Sequence, residues 1–177
     1  MRFVGIDVGH NGAIAFVDGD GGYRIYDMPV FSVRRGKRVF VKINEAQLIE
    51  MIDALTHFVS NGEGEAPLNN CIFYFEKQKP FPKQGVVSVF ELGKQYGFIR
   101  GVLRTRGFRF EEVEPQKWQR EFSIVKSKNT KFASYEAASS LFPRARLKTE
   151  RGRILDGRCD AILIAEYGRR TYRGRGG

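Results

Sequence analysis

The sequence predicts a single α/β domain, and three observations lead to that prediction. A chain of 177 residues with 42% hydrophobic residues is long and apolar enough to bury one substantial core. Its first part contains short β-prone runs separated by glycine-rich turns. Farther along, apolar runs of strand length alternate with runs of helical periodicity. We expect residues 1–168 to form the domain and residues 169–177 to form a basic, frayed Arg/Gly-rich tail.

The first three apolar runs predict an antiparallel meander. They cover residues 3–8, 13–18 and 23–28. The separators, Gly-His-Asn-Gly and Gly-Asp-Gly-Gly, supply residues that tolerate the positive φ of hairpin turns. A basic loop is predicted over 29–38, followed by a short extended piece over 39–43.

The rest of the chain is predicted to contain two more strands and five helices. The strands are residues 71–75, which stop at Glu76, and residues 108–113. Asn44 and Pro115 are typical helix-start residues, and Pro143 follows the end of another helix. The predicted helices span 45–60, 86–106, 115–122, 130–141 and 156–166.

One predicted helix carries Gly93, Gly97 and Gly101 at four-residue intervals, so the glycines form a stripe on one face. Each interior glycine costs roughly 1 kcal/mol relative to alanine, and close approach of another backbone would offset that cost. The neighbour is either another helix or a sheet.

The charge balance predicts a polyanionic partner. Thirty Lys and Arg residues against 20 Asp and Glu give a net charge of +10, and most of the excess falls in expected loops. Such loops suit nucleic acid, although a merely solubilising surface is the alternative. The longest apolar runs fall short of the roughly 20 residues that span a bilayer, so no membrane association is expected. The start of the chain shows no secretory leader, and Cys71 and Cys159 resemble reduced core residues, so we expect a cytoplasmic protein.

Four acids stand at the margins of the most apolar segments: Asp7, Glu76, Asp156 and Asp160. Unpaired buried carboxylates are costly, so acids in such positions are usually paired, hydrogen-bonded or bound to metal. Asp156 and Asp160 share one helix face, and all four converge if the two acid-terminated strands are neighbours crossed by the last helix. Oxygen ligands without histidine or cysteine suit Mg²⁺ or Mn²⁺, and two ions about 3.5 to 4 Å apart would suit phosphodiester hydrolysis.

Each acid also has a structural interpretation. Asp7 could form an Asx turn, and Asp156 could be a helix N-cap. The ion pairs to be considered are Glu76 with Lys77 or Lys79, and Asp160 with Arg158 or Arg100.

Taken together, an ordered series of segments resembles the RuvC-type Holliday junction resolvases, especially their phage-borne branch. The series consists of Gly5-Ile6-Asp7-Val8-Gly9 with Gly12-Ala13-Ile14-Ala15, Phe75-Glu76-Lys77, residues 85–103 with their glycine stripe, Val113-Glu114-Pro115-Gln116-Lys117-Trp118, and Asp156-Gly157-Arg158-Cys159-Asp160-Ala161 with the segment 164–168. The resemblance implies an RNase H-like fold, with a five-stranded mixed sheet flanked by helices. It also implies a homodimer that resolves four-way DNA junctions by symmetric paired nicks with Mg²⁺ or Mn²⁺.

The same resemblance implies roles for individual residues. Asp7, Glu76 and Asp160 match catalytic, metal-binding acids, and Asp156 matches less closely because many relatives place the two helix acids three residues apart. Phe81 corresponds to an aromatic residue that wedges into the junction, with an ordinary loop anchor as the alternative. The candidate phosphate contacts are Lys83, Lys117, Lys126, Lys128, Lys131 and Arg151. Trp118 is expected to lie in the core rather than to stack on a base.

Other functions remain to be weighed. Actin-like ATPases and sugar kinases share the opening Gly-Ile-Asp-Val-Gly pattern, but they need a second such lobe, which this chain lacks. A nuclease acting more broadly on branched DNA and a junction-binding module without cleavage are the remaining alternatives.

Overall fold

The computed structural model describes residues 1–57, 70–79 and 85–172. The strands in these ranges are β1 (Arg2–Asp7), β2 (Ala13–Asp18), β3 (Tyr23–Asp27), β4 (Val30–Arg35), β5 (Arg38–Ile43), β6 (Cys71–Glu76) and β7 (Arg109–Val113). The helices are α1 (Glu45–His57), α2 (Val86–Thr105), α3 (Pro115–Glu121), α4 (Thr130–Leu141) and α5 (Asp156–Thr171), with a 3-10 turn at Ile124–Lys126. The predicted elements therefore form close to their expected bounds.

Five strands make one mixed sheet in the order β3-β2-β1-β6-β7. The pairs β1–β2 and β2–β3 are antiparallel, whereas β6 lies parallel to both β1 and β7. The amide of Gly12 donates to the carbonyl of Gly9 at 3.0 Å, which closes the tight turn between β1 and β2. The predicted meander and the predicted mixed sheet are both confirmed.

Helices cover both faces of this sheet, because both faces of β1 are apolar. Phe3 lies in a core shared with α3, α4 and α5, whereas Val4 and Ile6 lie in a second core with α1 and α2. Cys71 and Cys159 are both buried and unpaired, as expected. Among the helices of the described ranges, none is both long and apolar enough to cross a membrane.

The prediction of a loop over residues 29–38 is wrong. β4 pairs antiparallel with β5 from Val30 opposite Ile43 to Arg35 opposite Arg38, as a two-stranded ribbon separate from the main sheet. Only some residues of β4 are β-branched or aromatic, and Arg34 and Arg35 interrupt the apolar pattern. The sequence therefore gave no clear sign of a strand here. The expected extended piece at 39–43 is confirmed as most of β5.

The helix ends differ from expectation at one place. Asn44 caps α1 as predicted, since its Oδ1 accepts a hydrogen bond from the amide of Gln47 at 3.2 Å. The predicted end of α1 near residue 60 lies outside the described residues. α5 continues to Thr171, so Arg169 and Arg170 are helical rather than part of a frayed tail. Both arginines bind the carboxylate of Glu166, which stabilises this last turn.

The glycine stripe of α2 faces away from the sheet. A Cβ atom built on Gly93, Gly97 or Gly101 would meet no atom of the described residues within 4 Å. Phe90, one turn earlier on the same face, is 70% exposed. The alternative that these glycines pack on the sheet of the same chain is therefore wrong, because Ile99 and Leu103 make that contact from the opposite face.

Candidate active site

Two strands deliver acids to the same edge of the sheet. β1 ends at Asp7 and β6 ends at Glu76, and these strands are parallel neighbours with Ile6 opposite Phe75. The carboxyl ends of parallel strands point the same way, so both carboxylates emerge side by side. This confirms the arrangement that the sequence analysis required of the two acids.

α5 crosses these strands at backbone distance because two glycines leave room for it. A Cβ atom on Gly5 would collide with the backbone of Ala161 and Ala165. A Cβ atom on Gly157 would collide with the carbonyl of Asn11 and with Gly12, in the turn after β1. The first two turns of α5, which carry Asp156 and Asp160, are consequently held against the end of β1.

The four acids act on one another electrostatically. Burial raises the pKa of Asp7 well above its usual value, and the charges of Asp160, Glu76 and Asp156 raise it further. Burial likewise raises the pKa of Asp160 to about 7, while a hydrogen bond from Ser134 opposes that rise and the charges of Glu76 and Asp156 add to it. The structure thus brings all four predicted acids close enough for their charges to act on one another.

One atom of this cluster is left without a partner. The Oδ1 of Asp160 is buried and accepts no hydrogen bond. A buried carboxylate oxygen without a hydrogen-bond donor, near three other acids, is the type of ligand that hard divalent cations such as Mg²⁺ prefer. Even so, in residues 1–57, 70–79 and 85–172 no group of three or more His, Cys, Asp or Glu side chains is arranged to hold an ion. The donor set fits a metal, while the side chains are spread wider than a closed ligand shell.

One acid of the cluster is paired with a lysine. The Nζ of Lys131, in the first turn of α4, lies 2.6 Å from Oδ2 of Asp156. Asp156 is the first residue of α5, Leu155 occupies the cap position, and no side chain caps the helix. The N-cap alternative for Asp156 is therefore wrong. Lys131 was expected only as a phosphate contact, and its contact with the acids could not be read from the sequence.

Glu76 is bound by an aromatic residue rather than by a lysine. The indole Nε1 of Trp118, in α3, donates to Oε1 of Glu76 at 2.8 Å. Burial raises the pKa of Glu76, and this hydrogen bond partly opposes the rise. Lys77 and Lys79 pair with Glu114 instead, so the ion-pair alternative for Glu76 is wrong. Trp118 is 1% exposed, which confirms it as a core residue.

The ion-pair alternatives for Asp160 are also wrong. Arg158 binds Asp27 at the end of β3, and its Nε and Nη2 each donate to one oxygen of the carboxylate. Arg100 binds Glu112 at 2.9 Å. Asp160 instead receives its hydrogen bond from Ser134 of α4, a residue that the sequence analysis did not single out.

A cleft opens beside the acids. It is lined by His10 and Asn11 of the β1–β2 turn, by Lys131 and Phe132 of α4, and by Arg153 and Asp156. The remaining candidate DNA contacts in the described ranges are exposed, namely Lys117, Lys126, Lys128 and Arg151. Phe81 and Lys83 lie outside the described residues. Among the candidate DNA contacts that the structure describes, Lys131 is the one that lines this cleft.

Comparisons with known proteins yield structural relatives only. No family model matches the chain, and no curated protein matches it in sequence. Among solved structures, Thermus thermophilus RuvC matches with a TM-score of 0.51 at 12% identity, over 97% of this chain and 96% of that one. T. thermophilus RuvC in complex with Holliday junction substrate matches with a TM-score of 0.50 at 13% identity, over the same shares of the two chains.

The chain has the RuvC fold. The RuvC-like arrangement of three antiparallel strands followed by two parallel ones confirms the predicted RNase H-like class. At these identities the match concerns the fold, and the resemblance to the phage-borne branch stays a prediction.

Proposed function

We propose that this protein is a metal-dependent, structure-selective DNA endonuclease that resolves four-way (Holliday) junctions by symmetric paired nicks. The observation that carries the proposal is the cluster of Asp7, Glu76, Asp156 and Asp160, in which three acids have raised pKa values and one oxygen lacks a partner. An acidic centre in a chain of net charge +10 suits a polyanion that is held by cations and cut at carboxylates. The RuvC fold adds support, since one solved relative is in complex with Holliday junction substrate.

Asp7, Glu76 and Asp160 would hold Mg²⁺ or Mn²⁺, and two ions are expected. Asp156 would become a further ligand when Lys131 leaves its carboxylate and binds a phosphate of the substrate. When bound, such ions activate a water and stabilise the leaving oxygen of an in-line displacement. The protein itself has three tasks in this proposal. It holds the carboxylates together against their repulsion, Trp118 orients Glu76, and Lys131 neutralises either Asp156 or a phosphate.

Exposed cations would position the DNA. Lys131 lies closest to the acids, and the others, Lys117, Lys126, Lys128 and Arg151, would contact phosphates without reading sequence. Phe81 and Lys83, in the segment before α2, remain proposals for junction wedging and phosphate contact.

A homodimer would place two such sites on opposed strands. The open face of α2 supports it, because Phe90 is exposed beside three glycines that nothing covers in the described chain. A glycine stripe lets two copies of α2 approach closely, and a two-fold interface is self-complementary. A four-way junction with two equivalent strands calls for the same symmetry.

The test is cleavage of a synthetic mobile four-way junction in a titration of Mg²⁺ or Mn²⁺. Paired symmetric nicks that need the metal are the expected result. Asp7→Asn should abolish the nicks and leave junction binding intact, because the substitution keeps the shape and removes the charge. Glu150→Gln, which changes an acid 90% exposed and outside the cluster, should cut normally. If the protein cuts linear duplex as fast as the junction, the resolvase proposal fails and a nuclease of broader substrate range remains.

One observation favours a second candidate, a junction-binding module without cleavage. Lys131 neutralises Asp156, and within the described chain the acids do not form a closed ligand group. Tight junction binding with no nicking at any concentration of either metal would support this candidate over the resolvase.

A further inference from the structure

The ribbon formed by β4 and β5 carries the densest unneutralised charge in the described chain. Its tip holds Arg34, Arg35, Lys37 and Arg38 around Gly36, whose φ of 60° forms the two-residue turn. No acid occurs between Asp27 and Glu45. None of the tip cations forms an ion pair with a described residue, in contrast to Lys77, Arg100 and Arg158 elsewhere.

The register makes this charge costly for the free protein. Arg35 stands directly opposite Arg38, so two guanidinium groups share one face at the end of the ribbon. Like charges directly opposite each other destabilise a strand pair. A two-stranded ribbon is marginal by itself, and Ile43 at its base is the one buried residue of the two strands. An anion between the two guanidinium groups would remove this repulsion.

The base of the ribbon is tied to the candidate active site. The amide of Met28 donates to the carbonyl of Gly12, in the turn that follows Asp7, and the amide of Asn44 donates to the carbonyl of Pro29. Val30, the first residue of β4, lines the cleft beside Asp156. A strand of six residues spans roughly 20 Å, so the tip can reach about six base pairs of duplex away from the cleft.

We propose that this ribbon, residues 30–43, is a duplex-binding arm that grips the phosphate backbone of one DNA arm away from the site of cleavage. The proposal rests on the proposed function for its substrate class and adds a surface to it. The major groove of DNA admits a two-stranded β-ribbon. Phe31 and Phe40, which are 46% and 42% exposed, stand on the same face of the ribbon as Arg35 and Arg38, and they would lie against the groove between the phosphates that the arginines contact.

The test compares matched charge variants of the full chain for binding without divalent metal. The probe is a four-way junction with arms of roughly two helical turns. For Arg35→Gln/Arg38→Gln, we expect a several-fold rise in Kd and a slope of log Kd against log salt concentration shallower by about two units. The control Arg104→Gln/Arg109→Gln removes the same charge from the end of α2 and the start of β7, at the sheet edge opposite β3. This control should change neither the salt dependence of Kd nor the positions at which the protein contacts the DNA. Arg35→Lys/Arg38→Lys should keep the wild-type slope.

A hydroxyl-radical footprint of the same junction locates the contact. Wild-type protein should protect sugars up to about six base pairs along an arm, and Arg35→Gln/Arg38→Gln should lose that protection while keeping the protection at the branch point. An unchanged slope and footprint in this variant would overturn the proposal. So would a loss of self-association in Phe40→Ser with normal DNA binding, which would make the ribbon an interface between copies. If wild-type protein binds the junction but does not cut it, the proposed function fails while the ribbon comparison still decides this proposal.

Discussion

The indole Nε1 of Trp118 donates a hydrogen bond to Oε1 of Glu76 at 2.8 Å, and it joins the core of the protein to its acidic cluster. The ring of Trp118 is buried among α3, α4 and α5, so the donor has a fixed position. A carboxylate held this way keeps one oxygen turned toward the indole.

Trp118→Phe should impair the site while leaving the fold intact. The substitution keeps an aromatic ring and removes the donor, so the pKa of Glu76 should rise and its charged form should be less well positioned. We expect a higher concentration of Mg²⁺ for half-maximal cleavage, and a loss of about 1–3 kcal/mol in the free energy of unfolding. A metal titration of activity, beside denaturant unfolding, measures both.

Phe73→Leu is the matched control for Trp118→Phe, because it disturbs the opposite core and touches none of the acids. If both variants shift the metal requirement equally, lost stability rather than lost orientation explains the effect.

Asp160→Asn should stabilise the metal-free protein at alkaline pH. The pKa of Asp160 is raised to about 7 in the folded state, so the folded protein holds a proton that the unfolded chain releases from about pH 4 upward. This contribution is fully present below pH 4 and is lost as the pH rises through 7. Asparagine removes the charge, and we expect it to be more stable than wild type by on the order of 3 kcal/mol at pH 8.

Thermal unfolding in chelator from pH 4 to 8 checks the Asp160 prediction. The advantage of asparagine should shrink toward pH 4, and it should also shrink when Mg²⁺ is added to wild type, because an ion that binds only the folded state stabilises it. An advantage that is independent of pH would contradict the account.

Glu166→Gln should show the opposite pH dependence. Burial opposes the charge of Glu166, but its hydrogen bonds from Arg169 and Arg170 prevail and lower its pKa. The stabilisation from this carboxylate is therefore present above pH 4.5 and is lost as the pH falls through the lowered value. We expect a cost of about 1–3 kcal/mol at pH 7 that diminishes toward pH 3. Urea unfolding at both pH values measures it, and Glu150→Gln should remain within about 0.5 kcal/mol of wild type throughout.

Gly97→Leu should dissociate the proposed homodimer. The glycine faces open space in a single chain, so leucine is tolerated by the monomer, and its side chain would separate two copies of α2. Sedimentation should show a dimer for wild type and a monomer for Gly97→Leu. Ser140→Leu adds an equivalent exposed leucine to α4 and should leave the dimer intact. A wild-type protein that is monomeric at all concentrations, alone and on the junction, would remove the dimer from the proposal.

Much of the fold could be predicted from local pattern because the turns and helix starts carry strong residue signals. Asn44 caps α1 and the glycine turns close the meander, as expected. The β4 strand was missed because charges interrupt its apolar pattern, and only pairing with β5 fixes its conformation.

The acids of the candidate site were predictable because each interrupts an apolar segment, which periodicity detects. The side chains that contact these acids could not be predicted. Trp118, Lys131 and Ser134 lie on α3 and α4, and contacts between segments that are distant in sequence produce no local sequence pattern. Asp156 and Asp160 are four residues apart in the sequence, and no role was assigned from the sequence to Gly157 between them. The structure gives it a steric reason, because α5 touches the turn after β1 at that residue.

That contact has a consequence for how the site responds to change. Asp7 and Asp160 are positioned by main chain lying on main chain at Gly5 and Gly157, with no intervening side chain that can change rotamer. The separation of the two carboxylates is therefore insensitive to repacking of the surrounding core, and methyl deletions nearby should alter stability without altering that separation. A methyl group added at Gly5 acts differently. It would collide with the backbone of α5 at Ala161 and Ala165, so α5 would have to move away from β1 and the distance between Asp7 and Asp160 would increase.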